Sequence, residues 1–356
     1  MKTAPNPPRL RDIQDLITPA ALLAEIPPTQ AAAATVHGAR TAIQHILSGQ
    51  DDRLLVVIGP CSIHDPEAAL DYAKRLAELR GKLSGGLEIV MRAYFEKPRT
   101  TIGWKGLIND PHLDGSFDIN HGLRTARALL DRINAICLPV GCEFLDTTTP
   151  HYIADQVAWA AIGARTTESQ VHREMASGLP CPVGFKNGTS GDVTVAIDAI
   201  KASAHPHRFP GIGATGRPAI SVTTGNPDGH IILRGGLLPN YDAASVDAAC
   251  RAAQASGVPG HVMIDTSHGN SSKNPDNQPR VATDIAGQIA GGERRILGVM
   301  VESNLIGGRQ NLTDVPLTYG QSVTDGCIDW ETSVSVLQEL ADAVAERRRC
   351  FDRLAS

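Results

Sequence analysis

The sequence lacks the features that identify several classes of protein. No apolar run in its 356 residues reaches the length of a membrane span, and residues 1–20 are proline-rich and of mixed charge instead of resembling a secretory signal. The formal charge is only −5, so no global basic field favours nucleic acid or anionic membranes. We therefore expect a soluble, cytoplasmic protein that has no nucleic-acid or membrane partner.

Short cysteine spacings are also absent. The seven cysteines are an odd number without any CxxC pair, and aromatic residues make up only 4% of the chain. A chain of this length folds without disulfides, so we expect free thiols. A cysteine with a function must then be identified by its chemical surroundings.

What the sequence does contain is a repeated pattern of a short apolar run, a Gly-, Pro-, Asn- or Thr-containing loop and an amphipathic helical stretch. Eight apolar runs fit it, at residues 54–58, 88–92, 140–144, 160–165, 182–186, 230–236, 261–268 and 297–303. Runs that are apolar on both faces indicate a parallel sheet covered by helices. Eight such units predict an α/β fold of the (β/α)8 TIM-barrel type. A doubly wound sheet is the rival, but no glycine-rich phosphate-binding fingerprint follows Ile58.

Residues 1–50 differ from the rest. They are Pro-rich at the start and then Ala-rich and helical over residues 31–47. We expect two parts: an N-terminal extension of residues 1–50 with a task in assembly or control, and a catalytic barrel of residues 51–356.

Ionisable residues follow all eight predicted strands. They are Cys61, Arg92, Glu143, Arg165, Lys186, Arg234, His268 and Glu302, with Lys97 and Arg99 in the loop after the second strand. Active sites of this fold lie at the carboxyl ends of the strands. So many cations repel each other unless anions sit among them, which predicts substrates with more than one phosphate or carboxylate.

Four of the ionisable residues are of metal-ligand types. Cys61, His268, Glu302 and Asp325 offer a thiolate, an imidazole and two carboxylates. This mixed set suits Zn, Fe, Mn or Co and suits Mg or Ca poorly. Taken singly, each residue is more simply explained as structural, so the prediction depends on their convergence.

Long motifs then resemble a known family, the class I, feedback-regulated type of 3-deoxy-D-arabino-heptulosonate-7-phosphate (DAHP) synthase. The resemblance runs from about residue 10 to the C-terminus and is carried by IGPCSIHDP (58–66), MRAYFEKPRTTIGWKGLINDP (91–111), GARTTESQVHREMASGL (163–179), PVGFKNGTSG (182–191), GNPDGHIILRGG (225–236), DTSHGNSSK (265–273) and VMVESNLIGGRQ (299–310). It implies a (β/α)8 barrel with an N-terminal extension and a small β-hairpin insertion. It also implies condensation of phosphoenolpyruvate with erythrose 4-phosphate, the entry reaction of the shikimate pathway.

The resemblance also implies roles for individual residues. One divalent ion (Mn, Fe, Co or Zn) would be held by Cys61, His268, Glu302 and Asp325. Phosphoenolpyruvate would lie among Arg92, Lys97, Arg165, Lys186 and Arg234, with backbone groups of Gly163 and Ala164 and a water near Glu143. Erythrose 4-phosphate would be held by the KPRTT stretch, which comprises Lys97, Pro98, Arg99, Thr100 and Thr101. Lys97 would donate a proton, assisted by His268, and Cys61 would be essential for metal-dependent turnover.

Cys327 lies two residues beyond Asp325. We expect it to form a disulfide with Cys61 when the metal is absent and the protein is oxidised.

The resemblance further implies feedback inhibition by an aromatic amino acid and a homodimer or homotetramer. The matching effector positions are His151, Leu179, Pro180, Phe209, Gly211 and Ser221. Gly211 leaves room for a phenolic hydroxyl, which favours tyrosine, whereas Pro180 departs from the serine more usual in the family.

Two alternatives remain. A sister enzyme condenses phosphoenolpyruvate with arabinose 5-phosphate, but it has a different aldose-binding loop from KPRTT and lacks the extension. A catalytically silent barrel that only binds aromatic amino acids is the other, and the complete ligand and cation sets argue against it.

Overall fold

A computed structural model describes residues 9–99 and 101–355, with side chains as far as residue 351. Its strands in chain order are β1 (Leu54–Gly59), β2 (Leu87–Arg92), β3 (Val140–Glu143), β4 (Trp159–Ile162), β5 (Val183–Lys186), β6 (Arg208–Ile212), β7 (Pro218–Val222), β8 (Gly229–Leu233), β9 (Val262–Asp265), β10 (Ile296–Glu302), β11 (Ile306–Arg309) and β12 (Gln321–Ser322). Eight of them form a closed parallel barrel in the order β1-β10-β9-β8-β5-β4-β3-β2. The predicted TIM barrel is therefore confirmed, and each of the eight apolar runs supplies one barrel strand.

Helices cover the outside of this barrel. They are α1 (Pro19–Glu25), α2 (Gln30–Leu47), α3 (Pro66–Leu83), α4 (Ile119–Ala135), α5 (Pro150–Ile153), α6 (Gln170–Ala176), α7 (Thr194–Ser203), α8 (Ala243–Ala255), α9 (Gln278–Ala290) and α10 (Trp330–Ala355). The start of α3 shows why the sequence turns helical where it does. Asp65 accepts hydrogen bonds from the backbone of Glu67 and Ala68, and Pro66 occupies the first helical position. Among the described residues, no helix is both long and apolar enough to cross a bilayer.

The barrel strands are buried on both faces, and alternate residues enter different cores. Leu55 and Val57 of β1 belong to an inner cluster together with Trp159 of β4. Leu54 and Val56 belong to an outer cluster that includes side chains of the surrounding helices. This alternation follows from the two-residue period of a strand, and it explains why the runs are apolar throughout.

One end of the barrel is closed by α2, which lies in the N-terminal extension. Ile43 and Ile46 of this helix join the inner cluster, where Ile43 has no exposed surface. Arg40 fastens the same helix by donating hydrogen bonds to the carbonyl oxygens of Ala154 and Val157. The other end of the barrel, where the strands terminate, stays open.

The predicted hairpin insertion is also confirmed. Strands β6 and β7 pair antiparallel between α7 and β8, with Phe209 opposite Ser221 and Gly211 opposite Ala219. Its outer side chains include Ile220, which is 76% exposed. The hairpin turn reaches the N-terminal extension, because Ala20 donates a backbone hydrogen bond to Ala214.

We predict that Ile43→Ala lowers the free energy of unfolding by roughly 2–5 kcal/mol, because it opens a void in the inner cluster where α2 closes the barrel. Urea unfolding measures this change. His37→Ala, on the exposed face of the same helix, is the matched control and should change it by less than about 0.5 kcal/mol. Equal effects of the two substitutions would contradict the closing role of α2.

Candidate active site

The loops at the open end surround a cavity of about 630 Å³. Of the sequence-predicted site residues, it is lined by Arg92, Lys97, Pro98, Arg99, Glu143, Gly163, Ala164, Arg165, Lys186, Arg234, His268, Glu302 and Asp325. Cys61 lies just beneath its wall, fully buried. Thr100 lies outside the described residues.

The cavity is strongly cationic. Among the described residues that line it, eight are Lys or Arg and three are carboxylates. Two of the eight cations were not selected from the sequence, Lys273 and Arg309. Such an excess of positive charge at one mouth favours ligands that carry several negative charges.

Arg92 is held rigidly at the end of β2. Its guanidinium donates to Glu302 Oε1 at 2.8 Å and to the carbonyl oxygens of Pro60 and Cys61. The guanidinium carbon also lies 3.6 Å from the centre of the Tyr94 ring, a cation–π contact. Because Arg92 is only 1% exposed, its position is set before any ligand arrives.

Lys97 reaches across the cavity floor to the candidate metal ligands. Its Nζ lies 3.0 Å from Cys61 Sγ and 3.6 Å from Asp325 Oδ2. Burial raises the pKa of the Cys61 thiol to about 11, with the Glu302 carboxylate acting in the same direction. Burial opposes the charge on Lys97, yet Cys61 and Glu302 raise the pKa of Lys97 above its ordinary value. The lysine is therefore protonated at neutral pH.

Three ligand atoms form a tight group at this floor. Those of Cys61, Glu302 and Asp325 all lie within 4.8 Å of one another. His268 stands beside the group, with Nε2 3.9 Å from Glu302 Oε1 and Nδ1 turned towards Asp265. Its backbone is left-handed, with a φ of 57°, an unusual conformation that directs the ring into the cavity. The thiol and two carboxylates of this group, with the His268 imidazole beside them, are donors that fit a borderline divalent metal.

Glu143 and Gly163 meet at the ends of β3 and β4. A Cβ on Gly163 would overlap Glu143 Oε1, so only glycine lets this carboxylate approach the backbone there. A turn follows directly, because Thr166 and Thr167 both donate backbone hydrogen bonds to the Gly163 carbonyl. This turn presents Arg165 at the cavity mouth.

The loops after β5, β8 and β9 pack directly on one another. A Cβ on Gly235 would lie 2.5 Å from the Asn270 nitrogen, and one on Gly236 would overlap the backbone of Gly191. These loops follow the strands that bear Lys186 and Asp265, so glycine contacts fix the spacing of this side of the cavity.

Glu96 links two loops. It precedes Lys97 in the loop after β2, and it is hydrogen-bonded to the loop after β3. Its buried carboxyl accepts hydrogen bonds from the backbone of Asp146, from Leu145 and from Thr149 Oγ1. Burial raises the pKa of Glu96 to about 8, and the nearby Asp146 carboxylate acts in the same direction. The protonated carboxyl is therefore the favoured form of this contact at neutral pH and below.

Sequence reasoning missed Asp265, which is fully buried at the end of β9 and contacts both Lys186 and His268. It also missed Gln278, whose side chain accepts from the Glu302 backbone nitrogen and donates to the Glu302 carbonyl. The signal for Asp265 was present, because a carboxylate ends an otherwise apolar strand run there, as Glu302 does in β10.

Cys61 and Cys327 are both buried and free. Burial raises the pKa of the Cys327 thiol, and the nearby Cys61 acts in the same direction, which places the two thiols in one neighbourhood. Disulfide formation on oxidation of the metal-free protein stays a prediction.

Five of the six candidate effector residues lie on the hairpin or just after α6, whose end is hydrogen-bonded to the hairpin base. Phe209, Gly211 and Ser221 are on the hairpin itself, whereas Leu179 and Pro180 follow α6 and His151 lies exposed on α5. Hydrogen bonds join the hairpin base to the end of α6, between Ser177 and Thr223 and from Asn226 to the Leu179 carbonyl. The extension reaches α5 as well, because Tyr152 donates to the Ile17 carbonyl.

Fold and site together define a class of protein: a (β/α)8-barrel enzyme with a thiol–carboxylate cluster beside a pocket for polyanionic substrates. The sequence matches the DAHP synthetase I family over residues 29–338. The chain therefore belongs to this family and is an enzyme of that kind, which confirms the resemblance seen in the motifs.

The sequences of individual relatives match this chain along nearly its whole length. The Phe-sensitive phospho-2-dehydro-3-deoxyheptonate aldolase of Escherichia coli strain K12 is 59% identical over 341 residues, which cover 96% of this chain and 97% of the relative. The Tyr-sensitive enzyme of Salmonella typhimurium is 52% identical, covering 95% of this chain and 96% of the relative. The solved structure of the Francisella tularensis enzyme of the same name is 50% identical, with a TM-score of 0.94, and the match covers 95% of this chain and 99% of that one.

We predict a pH-dependent effect of Glu96→Gln. The pKa of Glu96 in the folded protein, about 8, exceeds its ordinary value of 4.5, so the protonated carboxyl stabilises the fold below pH 4.5 and this contribution is lost as the pH rises through 8. From about pH 5 to about pH 9, the wild type should lose on the order of a few kcal/mol of unfolding free energy relative to the variant. Urea unfolding across this range tests it, and a pH-independent difference would contradict it.

Proposed function

We propose that this protein catalyses the metal-dependent condensation of phosphoenolpyruvate with erythrose 4-phosphate, which gives DAHP and inorganic phosphate and opens the shikimate pathway to the aromatic amino acids. One observation carries the proposal: a cavity lined by eight cationic residues has the Cys61–Glu302–Asp325 cluster at its floor. Two phosphorylated substrates and a divalent ion would account for both halves of this arrangement.

Phosphoenolpyruvate is assigned to the deeper part of the cavity. Its phosphate and carboxylate are shared among Arg92, Lys97, Arg165, Lys186 and Arg234. Two of these, Arg92 and Lys186, are buried and already oriented by carboxylates. Backbone N–H groups of Gly163 and Ala164 add donors, and Glu143 holds a water next to them.

Erythrose 4-phosphate is assigned to the loop after β2. Lys97, Pro98 and Arg99 of this loop line the cavity. Thr100, the fourth residue of the proposed subsite, lies outside the described residues. The aldehyde end then lies towards Lys97 and the ligand cluster, opposite the phosphoenolpyruvate carbon that attacks it.

Cys61, His268, Glu302 and Asp325 would hold one divalent ion of Mn, Fe, Co or Zn. When bound, the ion would act as a Lewis acid on the aldehyde oxygen. In the absence of substrate, Lys97 and Arg92 offset part of the negative charge of the cluster through their contacts with Asp325 and Glu302.

The chain's own residues supply the proton chemistry. C3 of phosphoenolpyruvate attacks the aldehyde carbon, and Lys97 donates a proton to the oxygen that becomes a hydroxyl, assisted by His268. Water then adds at C2, and phosphate leaves with cleavage of its bond to that carbon. Lys97 is suited to this task because it is protonated and its Nζ lies beside Cys61 and Asp325.

We predict that phosphate release from phosphoenolpyruvate requires erythrose 4-phosphate, stops on treatment with a chelator and resumes when a divalent metal is restored. Cys61→Ala should lose at least about 100-fold in kcat, because a first ligand of the metal is gone. A coupled phosphate assay measures both effects.

Cys250→Ala, a buried thiol on α8 away from the cavity, is the matched control and should keep wild-type kcat. Arabinose 5-phosphate in place of erythrose 4-phosphate should give no phosphate. Full activity of metal-stripped protein, or equal rates with the two sugars, would overturn the proposal.

Feedback inhibition by an aromatic amino acid is part of the proposal, with the effector bound near the hairpin and residues 1–50 acting in control and assembly. Two hydrogen bonds support this proposal, because they join the extension and the end of α6 to the same hairpin. They connect Ala20 with Ala214 and Ser177 with Thr223. We propose tyrosine as the effector, a homodimer or homotetramer as the assembly, and the cytoplasm as the location. A Cβ on Gly211 would lie 2.6 Å from Ser221 Oγ, so the Ser221 hydroxyl fills the space beside this glycine.

We predict that tyrosine lowers the initial rate of DAHP formation more strongly than phenylalanine or tryptophan. Gly211→Ser should weaken inhibition by tyrosine by about tenfold or more, because the new side chain takes space beside Ser221. Initial rates over a concentration series of each amino acid measure this effect. Thr215→Ala, at an exposed position in the hairpin turn, is the control and should keep wild-type inhibition. Stronger inhibition by phenylalanine would refute the interpretation of Gly211.

A further inference from the structure

Asp265 stands where the cationic pocket meets the ligand cluster. It ends β9 with no exposed surface. One oxygen, Oδ2, accepts from Lys186 Nζ at 3.0 Å and lies 2.9 Å from His268 Nδ1. The other oxygen, Oδ1, accepts from the backbone nitrogen and the hydroxyl of Ser267 at 2.9 and 2.7 Å. Both oxygens of the carboxylate thus contact protein groups, so Asp265 can influence a bound ligand only through Lys186, His268 and Ser267.

The contact with His268 orients the imidazole. Nδ1 is turned towards Asp265 and also lies 2.6 Å from the hydroxyl of Ser267, which itself donates to Asp265. Nε2 is therefore the nitrogen that faces Glu302, at 3.9 Å. A carboxylate that accepts from one ring nitrogen fixes the tautomer and makes the other nitrogen a stronger ligand. The more negative charge Asp265 presents to Nδ1, the better His268 can bind a metal.

The contact with Lys186 ties the same oxygen to the substrate pocket. Lys186 lines the cavity and is 4% exposed, and Asp265 is its ion-pair partner. An anionic group that arrives at Lys186 takes up part of the ammonium's hydrogen-bonding capacity. Asp265 is then less neutralised by Lys186, and its charge acts more fully on His268.

We propose that Asp265 is a positioning residue that couples the binding of phosphoenolpyruvate at Lys186 to the binding of a divalent metal at His268, so that each ligand tightens the other. This inference rests on the proposed function, which supplies both ligands. The coupling is reciprocal, because a factor by which one ligand changes the affinity of the second applies equally in the opposite direction.

The test is a titration of the full-length protein with Mn²⁺ alone, by equilibrium dialysis, with and without saturating phosphoenolpyruvate on both sides of the membrane. Erythrose 4-phosphate is left out, so there is no turnover, and affinities are compared at equal free Mn²⁺. The wild type should bind Mn²⁺ several-fold more tightly when phosphoenolpyruvate is present. Asp265→Asn should weaken Mn²⁺ binding about 10–100-fold and abolish the effect of phosphoenolpyruvate.

Glu88→Gln is the matched control. Glu88 is also a buried carboxylate of a barrel strand, 2% exposed and paired with Arg53 at 2.6 Å and Arg80 at 2.7 Å, but it lies near the start of β2. The Glu88→Gln variant should bind Mn²⁺ with the wild-type affinity, and phosphoenolpyruvate should increase that affinity as much as it does in the wild type. A general loss of barrel rigidity would change both variants alike, which would overturn the specific role of Asp265.

A second pair of variants keeps the test decisive if Asp265→Asn does not fold. Lys186→Met frees Asp265 from its ion-pair partner. Arg234→Met removes a neighbouring cation that feels the charge of Asp265 but, among the described residues, makes no hydrogen bond or ion pair with it. Without phosphoenolpyruvate, Lys186→Met should bind Mn²⁺ several-fold more tightly than Arg234→Met. Equal affinities would overturn the inference.

The two levels of the proposal fail in different ways. A wild-type protein that forms no DAHP from the two substrates overturns the proposed function. A wild type that forms DAHP, while Asp265→Asn keeps the full effect of phosphoenolpyruvate on Mn²⁺ binding, overturns the role of Asp265 alone.

Discussion

The buried ion pair between Arg92 and Glu302 is the interaction on which the site depends. Both side chains are at most 2% exposed, and their atoms approach to 2.8 Å. Removing one partner of such a pair costs about 3–5 kcal/mol, because the other charge is left uncompensated. Arg92 ends β2, Glu302 ends β10, and the arginine also binds the carbonyl oxygen of Cys61 just after β1. The pair thus connects three adjacent strand ends. Arg92 belongs to the cationic pocket, and Glu302 belongs to the ligand cluster.

Buried carboxylates make this concentration of cations possible. The chain as a whole carries a formal charge of −5, yet in its described part eight Lys and Arg side chains line one cavity. Asp265 holds Lys186 and Glu302 holds Arg92 in fixed positions, so the repulsion among the cations is partly offset before any substrate binds. The remaining cations line the cavity, where their donors can meet phosphate or carboxylate groups.

Much of this architecture could be predicted from the sequence, for a physical reason. Strands buried on both faces leave continuous apolar runs, and the carboxyl ends of parallel strands share one edge, so residues such as Arg92 and Glu302 could be placed together. Asp265 was missed although it ends an apolar run as Glu302 does, because the sequence does not show that its carboxylate pairs with Lys186 and His268. Lys273 and Arg309 were missed because they lie several residues beyond the ends of β9 and β10, where the strand pattern no longer determines the direction of the chain. The hairpin strands, rich in glycine, proline and exposed positions, followed from the family motifs and not from periodicity.

The glycine contacts between the loops divide the mouth of the cavity into two unequal halves. At Gly235 and Gly236 any side chain would collide with the backbone of a neighbouring loop, so this half tolerates no added volume. In the loop after β2, the side chain of Ile102 is 97% exposed, so this position lies outside such contacts. A substitution at the exposed Ile102 therefore changes the free energy of folding little. On the side of Gly235 and Gly236 the backbone itself sets the limit, so these two positions accept no residue but glycine.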